Sequence, residues 1–387
     1  MLRVVLLGAM FSGSLHYYVW WRLVRSAQLP RRVHWAVTIL MIVMWLSIPI
    51  TTTARLWSPT LATTLSWVTM PWMALVGLLF VVSVAFHIAS ALGTLGRVAL
   101  RRPPPSKHDM SRRVFLARVT SGAAVTVASA SVGRGMAQAR GVHEIVNVEV
   151  KLAKLPKELD GFSIVQLSDL HVGLTIDRAF VEKVVALTNG LKPDLVALTG
   201  DLVDGPVADL ADDIAPLANL RAKHGVFAIT GNHEYYAGAD AWIAHISSLG
   251  ARYLRNELVT IGDGAASFDL AGVDDNDARR YVGHGEDLKA ATANRDPSRA
   301  LVLLAHQPRQ VRRASKYGVD LQLSGHTHGG QIWPWHYIVK LQQGGLLAGR
   351  YEHAGTQLYV TRGCGYWGPP VRLLAPLEIT RVILRSA

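Results

Sequence analysis

An α/β domain behind a helical membrane-spanning region is what this sequence predicts, and three observations predict it. From about residue 141 onward, short apolar runs end in polar clusters and alternate with helix-like stretches, the pattern of a sheet flanked by helices. Before that point lie three apolar stretches, at about 4–21, 35–54 and 68–96, with almost no charge inside them. Charge divides at the same place. Residues 1–140 hold 15 of the 40 Lys and Arg but only one of the 28 acids, Asp109. The net charge of +12 therefore belongs to the apolar part. Residues 141–387 keep no basic excess to hold a polyanion, which argues against nucleic acid as a partner.

The second and third apolar stretches are long enough to span a bilayer. The first is weaker, because Gly8, Ser12, Gly13, Ser14 and His16 interrupt it. Tyr17, Tyr18, Trp20, Trp21, Trp35, Trp57, Trp67 and Trp72 sit near segment ends, where an aromatic belt would place them. Arginines set an orientation. The loop after the first stretch has Arg22, Arg25, Arg31 and Arg32, and the loop after the second only Arg55. The third is followed by Arg97, Arg101, Arg102, Lys107, Arg112 and Arg113. Basic loops stay in the cytoplasm, so the first and third loops are cytoplasmic and the N-terminus is outside.

The next segment, SRRVFLARV at 111–119, opens a mildly apolar run, Val119–Val132, and ends near Ala137-Gln138-Ala139. Paired arginines, Phe-Leu, a weak apolar core and an A-x-A site resemble a bacterial twin-arginine export signal. Such a signal is read from the cytoplasm, where the arginine count independently puts it. The expected organisation is three transmembrane helices over 1–110, a signal or fourth apolar segment over 111–140, and an α/β domain over 141–387. That domain would lie outside the cytoplasm, on a multi-pass protein of a bacterial inner membrane.

The C-terminal part carries five clusters, each after a candidate strand. FSIVQLSDLHVG presents Asp169 and His171, and DLVALTGDLVDG presents Asp201 and Asp204. VFAITGNHE presents Asn232 and His233, LVLLAHQP presents His306, and LQLSGHTHGG presents His326 and His328. In an extended segment His326 and His328, two residues apart, would aim to one side. Helices are expected over Asp177–Asn189, with Asp177 as N-cap and Gly190 just past the end, and over about 207–222 and 239–248. Ligands at strand ends are where α/β folds build sites. Carboxylate, amide and imidazole donors suit hard and borderline divalent metals. The lone Cys364 rules out an internal disulfide and any cysteine-based metal site.

The order Asp-x-His, Gly-Asp, Gly-Asn-His-Glu, His, Gly-His-x-His resembles the calcineurin-like metallophosphoesterases over about 145–387. The tail TRGCGYWGPPVRLLAPLEI (361–379) is similar to that of their bacterial membrane-associated branch. The resemblance implies two packed mixed β-sheets flanked by helices. It implies two divalent ions, such as Mn, Fe or Zn. Asp169, His171, Asp201 and His328 would hold one of them, and Asp201, Asn232, His306 and His326 the other, with Asp201 bridging. Such a pair acidifies a shared water, and the hydroxide attacks phosphorus in line. The resemblance makes His233 the general acid for the leaving alkoxide and Asp204 the carboxylate that orients it, unless Asp204 serves as an N-cap or turn residue.

Protein phosphatases of this superfamily carry arginines where this chain has Gly205 and Thr230. Their absence favours a phosphodiester or pyrophosphate over a phosphomonoester. Arg362 and Arg372 are the candidate substitutes for substrate binding. A membrane anchor suggests an amphipathic, lipid-linked or nucleotide-type envelope substrate. Trp333, Trp335, Tyr366 and Trp367 would line its pocket or simply pack as core. No protein partner is implied. The alternatives are a phosphomonoesterase, a non-catalytic metal-binding sensor or scaffold, and a transporter. The near absence of intramembrane charge argues against the last.

Overall fold

Strands that are buried on both faces read as continuous apolar runs; LVAL and LVLL are such runs, and SIVQL and LQLS are buried throughout with only Ser and Gln interrupting them. The computed structural model describes residues 2–101 and 107–387; Arg102, counted above among the loop arginines, lies outside them. It divides into a helical unit up to residue 137 and a sheet-containing unit from residue 138, apart from a short tail segment.

The helical unit contains α1 (Leu2–Trp20), a π-helical turn (Trp21–Arg25), α2 (Arg31–Ala54) and α3 (Pro59–Ala99). It also contains most of α4 (Lys107–Ala139). Indole N–H groups tie the first three together: Trp45 donates to the Ala9 carbonyl, Trp20 to Thr38 and Trp72 to His16. Among the described residues, three helices are long and apolar enough to cross a membrane: α2, α3 and Ser111–Ala139 within α4. The first apolar stretch is helical, but it is not one of those three.

The second unit has two six-stranded sheets. The first has the order β1-β12-β2-β3-β4-β5, from Glu144–Leu152, Glu378–Ser386, Ser163–Leu167, Leu195–Leu198, Val226–Ala228 and Ala251–Tyr253. The second has the order β10-β11-β9-β8-β7-β6, from Gly349–His353, Thr356–Val360, Leu321–Ser324, Leu301–Leu304, Ala266–Gly272 and Glu257–Asp263. Both are mixed: β2 to β5 run parallel while β12 is antiparallel to β2, and β7, β8, β9 and β11 run parallel while β6 and β10 are antiparallel to their neighbours.

Alternation along each strand makes the layers. In β2 and β3, Ile164, Leu195 and Ala197 face the inter-sheet core with Val302, Leu304, Leu321 and Leu323. Val165, Leu167, Val196 and Leu198 point the other way. They are covered by α5 (Arg178–Gly190), α6 (Val207–Ile214) and the helix pair α7 (Asn232–Ala237) and α8 (Ala239–Ser248). On the far face, Leu301 and Leu303 meet α9 (Leu288–Thr292) and α10 (Val311–Ala314). The last helix is α11 (His336–Gln342).

Asp177 caps α5 as expected, its carboxylate accepting from the Phe180 N–H. The helix expected over 207–222 is shorter. It ends at Ile214 and continues as a 3-10 turn, Ala215–Asn219, because Pro216 has no N–H to extend the ladder.

His143 sits just before β1, buried against Phe180, with Nε2 2.7 Å from the Cys364 carbonyl. Burial disfavours its charged form and outweighs that hydrogen bond, pushing the imidazole down to about 4. The unfolded chain, near 6.5, then binds a proton that the folded chain does not. Stability is therefore lost as pH falls from about 6.5 towards 4, by up to roughly 3 kcal/mol. Urea unfolding of wild type and His143→Gln at several pH values checks this: the wild type should lose more stability on acidification, and equal slopes would contradict it.

Candidate metal centre

Each functional side chain leaves the C-terminal end of a buried strand. Asp169 and His171 follow β2, Asp201 and Asp204 follow β3, and Asn232 and His233 open α7 after β4. From the second sheet, His306 follows β8, and His326 and His328 follow β9. The β2 and β3 loops stay paired beyond the strands: Asp169 N–H donates to the Gly200 carbonyl and His171 N–H to that of Asp201.

Five of these residues have left-handed backbone: Asp169, His171, Asp201, His326 and His328, with φ between 52° and 71°. A non-glycine residue there costs on the order of 1–2 kcal/mol. Such strain persists only where surrounding bonds enforce it, and it concentrates at functional sites. It also corrects the extended arrangement expected of His326 and His328. Both turn through left-handed φ with Thr327 right-handed between them, so their imidazoles part.

Among the described residues, three groups bring ligand atoms within 4.8 Å of one another: Asp169, His171 and His328; His171, Asp201 and His233; and Asp201, His306 and His326. The structure thus brings together the histidines and the two aspartates expected as ligands, in two clusters, Asp169–His171–His328 and Asp201–His306–His326, which approach each other where His171 Nε2 lies 3.8 Å from Asp201 Oδ2. It adds His233 to a third grouping, beside His171. The donor set fits a divalent cation. Asp169 Oδ2 and Asn232 Oδ1 are buried with no hydrogen-bond partner, which leaves lone pairs for an ion. His171 Nε2 lies 3.0 Å from His328 Nε2, and His306 Nε2 3.1 Å from Asp201 Oδ2.

Outer bonds set the tautomers. His306 Nδ1 lies 2.8 Å from the Thr199 carbonyl and must donate, so its Nε2 is the free ligand atom. His171 Nδ1 lies 2.8 Å from Asp204 Oδ1, with the same result. The same Asp204 oxygen lies 2.7 Å from His233 Nδ1. One carboxylate therefore orients both a candidate ligand histidine and the candidate acid. Burial opposes its charge, but the two histidines outweigh burial and hold the Asp204 carboxyl well below the usual range. For His233, burial works against protonation, yet the Asp204 bond and the charges of Asp201, Asp204 and Glu234 raise it to about 9. Burial pushes His326 down to about 3.

Glycines make room at two points. A Cβ on Gly231 would stand 2.2 Å from Asp201 Oδ1, and one on Gly325 2.3 Å from Asp169 Oδ2. Glu234 does what residue chemistry alone left unassigned: its carboxylate accepts from the N–H groups of Asp201, Leu202 and Gly231.

Arg362 and Arg372 do not present free guanidinium groups. Arg362 is bonded to Glu378 and Glu144 at 2.6 and 2.7 Å. Arg372 is fully buried and donates to the carbonyls of Gly365, His328 and Ala375, its Nη2 3.1 Å from His328 Nδ1. It braces the metal loop from behind, which corrects the expectation that it binds substrate. Thr230 is buried, 3.0 Å from the Tyr235 hydroxyl. Tyr366 is core, whereas Trp367 is exposed with its ring centroid 5.9 Å from that of His233. Gln331 fixes Trp367 by reciprocal bonds, Nε2 to its carbonyl and Oε1 from its N–H.

Comparison with known proteins agrees with this geometry. The family model described as calcineurin-like phosphoesterase matches residues 162–330, which contain every cluster above. An uncharacterized metallophosphoesterase of Helicobacter pylori is 41% identical over 248 residues, covering 64% of this chain and 65% of that protein. A Bos taurus transmembrane protein with metallophosphoesterase domain is 38% identical over 291 residues, covering 72% of this chain and 65% of its own length. The chain thus spans just under two thirds of those relatives. It covers nearly all, 98%, of the uncharacterized metallophosphoesterase YkuE of Bacillus subtilis, at 33% identity over 287 residues and 72% of this chain. With its strand-end Asp and His clusters, its paired mixed sheets and these relatives, the chain belongs to the calcineurin-like phosphoesterase family.

Proposed function

We propose that this protein is a two-metal hydrolase of phosphodiester or pyrophosphate bonds, acting on an amphipathic substrate of the cell envelope. The observation that carries the reading is the pair of His/Asp clusters that approach each other at His171 and Asp201, 3.8 Å apart, beside His233, whose Nδ1 lies 2.7 Å from Asp204. Asp169, His171, Asp201 and His328 would hold one ion, and Asp201, Asn232, His306 and His326 the second. Bound divalent ions supply Lewis acidity, which acidifies water and neutralises phosphoryl charge. The chain's own residues do the rest. His306 and His171 keep their Nε2 atoms unprotonated through their outer bonds. His233 carries a proton to the leaving oxygen, and Asp204 holds its Nδ1 so that Nε2 faces the ester. Because His233 is raised to about 9, turnover that depends on it falls as pH rises through about 9.

The engagement of both Arg362 and Arg372 elsewhere supports the diester preference. The positions that bear arginine in protein phosphatases are a buried threonine and a glycine, Gly205, whose carbonyl accepts from Trp242. The test uses the full chain in detergent with Mn²⁺. Bis(p-nitrophenyl) phosphate should be cleaved faster than p-nitrophenyl phosphate, and a monoester preference would reject the diester assignment. His233→Ala should lower kcat about 10²–10⁴-fold on an alkyl ester, which needs leaving-group protonation. It should lower it less on a nitrophenyl ester, whose leaving group departs as the anion.

The same proposal places the protein in a bacterial inner membrane, multi-pass, with the domain outside the cytoplasm. The arginine distribution supports that orientation, as does the Arg112-Arg113 pair with Phe115 and Leu116, read as a twin-arginine signal. Ala139 is fully buried in the domain core, and the Lys183 ammonium donates to the Gly141 carbonyl. The Ala137-Gln138-Ala139 site thus ends inside the folded domain, which supports a domain that stays tethered.

A further inference from the structure

The metal loop is followed by a surface that a soluble domain would not expose. Helix α11 buries none of its residues. Tyr337 is 64% exposed and Leu341 82%, with Ile338 and Trp333 also open. Tyr337, Ile338 and Leu341 stand at spacings of one and four, on one side of the helix, and Trp333 lies just before it. A second segment adds Trp367, 56% exposed, and Leu374, 74% exposed. The two segments are bonded together: Trp333 N–H donates to the Leu373 carbonyl, Leu373 N–H to that of Gln331, and Gln331 clasps Trp367.

This lip is built onto the catalytic centre. A Cβ on Gly330, in the loop that carries His328, would stand 2.3 Å from His336 Cα, so the start of α11 rests on the metal loop. Its other end, Trp367, stacks edge-on to His233. The charge is one-sided: residues 321–351 contain no Asp or Glu, and Lys340 and Arg350 are exposed. Exposed Trp, Tyr, Leu and Ile with basic residues and no acids is the composition of an element that lies in the headgroup region of a bilayer. The domain is also joined directly to such a helix: only four residues separate Ala139, the end of an apolar helix long enough to cross a membrane, from Glu144, the start of β1.

We propose that α11 and the 367–374 segment dock on the lipid surface, with Trp333, Tyr337, Ile338, Leu341, Trp367 and Leu374 entering the headgroup–acyl boundary. The metal centre then opens at the level of lipid phosphates, and its substrate arrives from the bilayer. That last step rests on the hydrolase proposed above, whereas the docking does not.

The test uses the full chain in nanodiscs of phosphatidylcholine and phosphatidylglycerol. The one native cysteine, Cys364, is fully buried, so an introduced cysteine is labelled selectively. Leu341→Cys and, separately, Tyr337→Cys carry an environment-sensitive fluorophore, and Val282→Cys, fully exposed elsewhere on the domain, is the control. Docking shifts emission at 341 and 337 to the blue, and headgroup-proximal spin-labelled lipids quench both, while 282 stays unquenched. Labels at 341 and 337 that behave like the one at 282 overturn the proposal. Hydrolysis of bis(p-nitrophenyl) phosphate is followed in the same samples. Quenching without hydrolysis supports docking and counts against the hydrolase; hydrolysis without quenching removes the docking alone.

Discussion

Asp201→Ala should abolish both metal loading and turnover, the largest single effect on activity expected in this chain. Asp201 is the one residue common to the clusters of Asp201, His306 and His326 and of His171, Asp201 and His233. Its Oδ1 also accepts from the His233 N–H, and its Oδ2 lies 3.1 Å from His306. Removing it takes a ligand from each proposed ion and a brace from the acid. Losing an outer partner of a ligand costs about 10–100-fold, and losing a shared ligand should cost well beyond that. The check is metal content per chain by elemental analysis, together with diester turnover. A variant that keeps a full complement of metal and wild-type rate would refute the bridging role. Asp204→Asn gives the contrast, because it disturbs only the outer bonds to His171 and His233 and should lose far less metal than Asp201→Ala while losing rate.

Glu234→Ala should cost more stability than any ligand substitution. The carboxylate is buried and accepts from three backbone N–H groups, those of Asp201, Leu202 and Gly231, at 3.0, 2.7 and 2.6 Å. Alanine would leave three buried donors unpaired, at roughly 1–3 kcal/mol each. That is a large part of the 5–15 kcal/mol typical of a whole domain. The same bonds hold Asp201 in its left-handed conformation, so metal affinity should fall as well. Thermal unfolding should show Tm lower by about 2–4 °C for each kcal/mol lost. Glu234→Gln, which keeps one acceptor oxygen, should fall between. A Tm for Glu234→Ala within a degree or two of wild type would show that the carboxylate is dispensable.

Much of this site was legible because it sits on strands that are legible. A run such as LVLL or LVAL, apolar at every position, marks a strand buried on both faces, and the cluster just past it marks the site. Asp169, Asp201, His306 and His326 were found in that way, and both mixed sheets followed from the family that the motif order resembles. What was hidden depends on distance along the chain or on backbone conformation. The partners of Arg362 are 16 and 218 residues away, so nothing near it in sequence shows that its charge is neutralised. Arg372 looks like any basic residue in a tail until its burial is known. The divergence of His326 and His328 comes from φ, which residue type alone did not disclose. Glu234 sat in a motif already noted, but its role needed the geometry of three amide groups that surround it.

The left-handed ligand backbones have a consequence for how a cation enters. Their conformation is enforced by amide bonds between neighbouring loops, Asp169 to Gly200 and His171 to Asp201, and by the Glu234 carboxylate, all of which form when the chain folds. An arriving ion therefore finds its donors already aimed and has little chain to immobilise, so the ordering entropy that weakens a floppy site is largely absent. A socket cast in advance should fill quickly. It should also accept one divalent ion in place of another without rearrangement, so that supply in the surroundings, more than adjustment by the protein, decides which metal it carries.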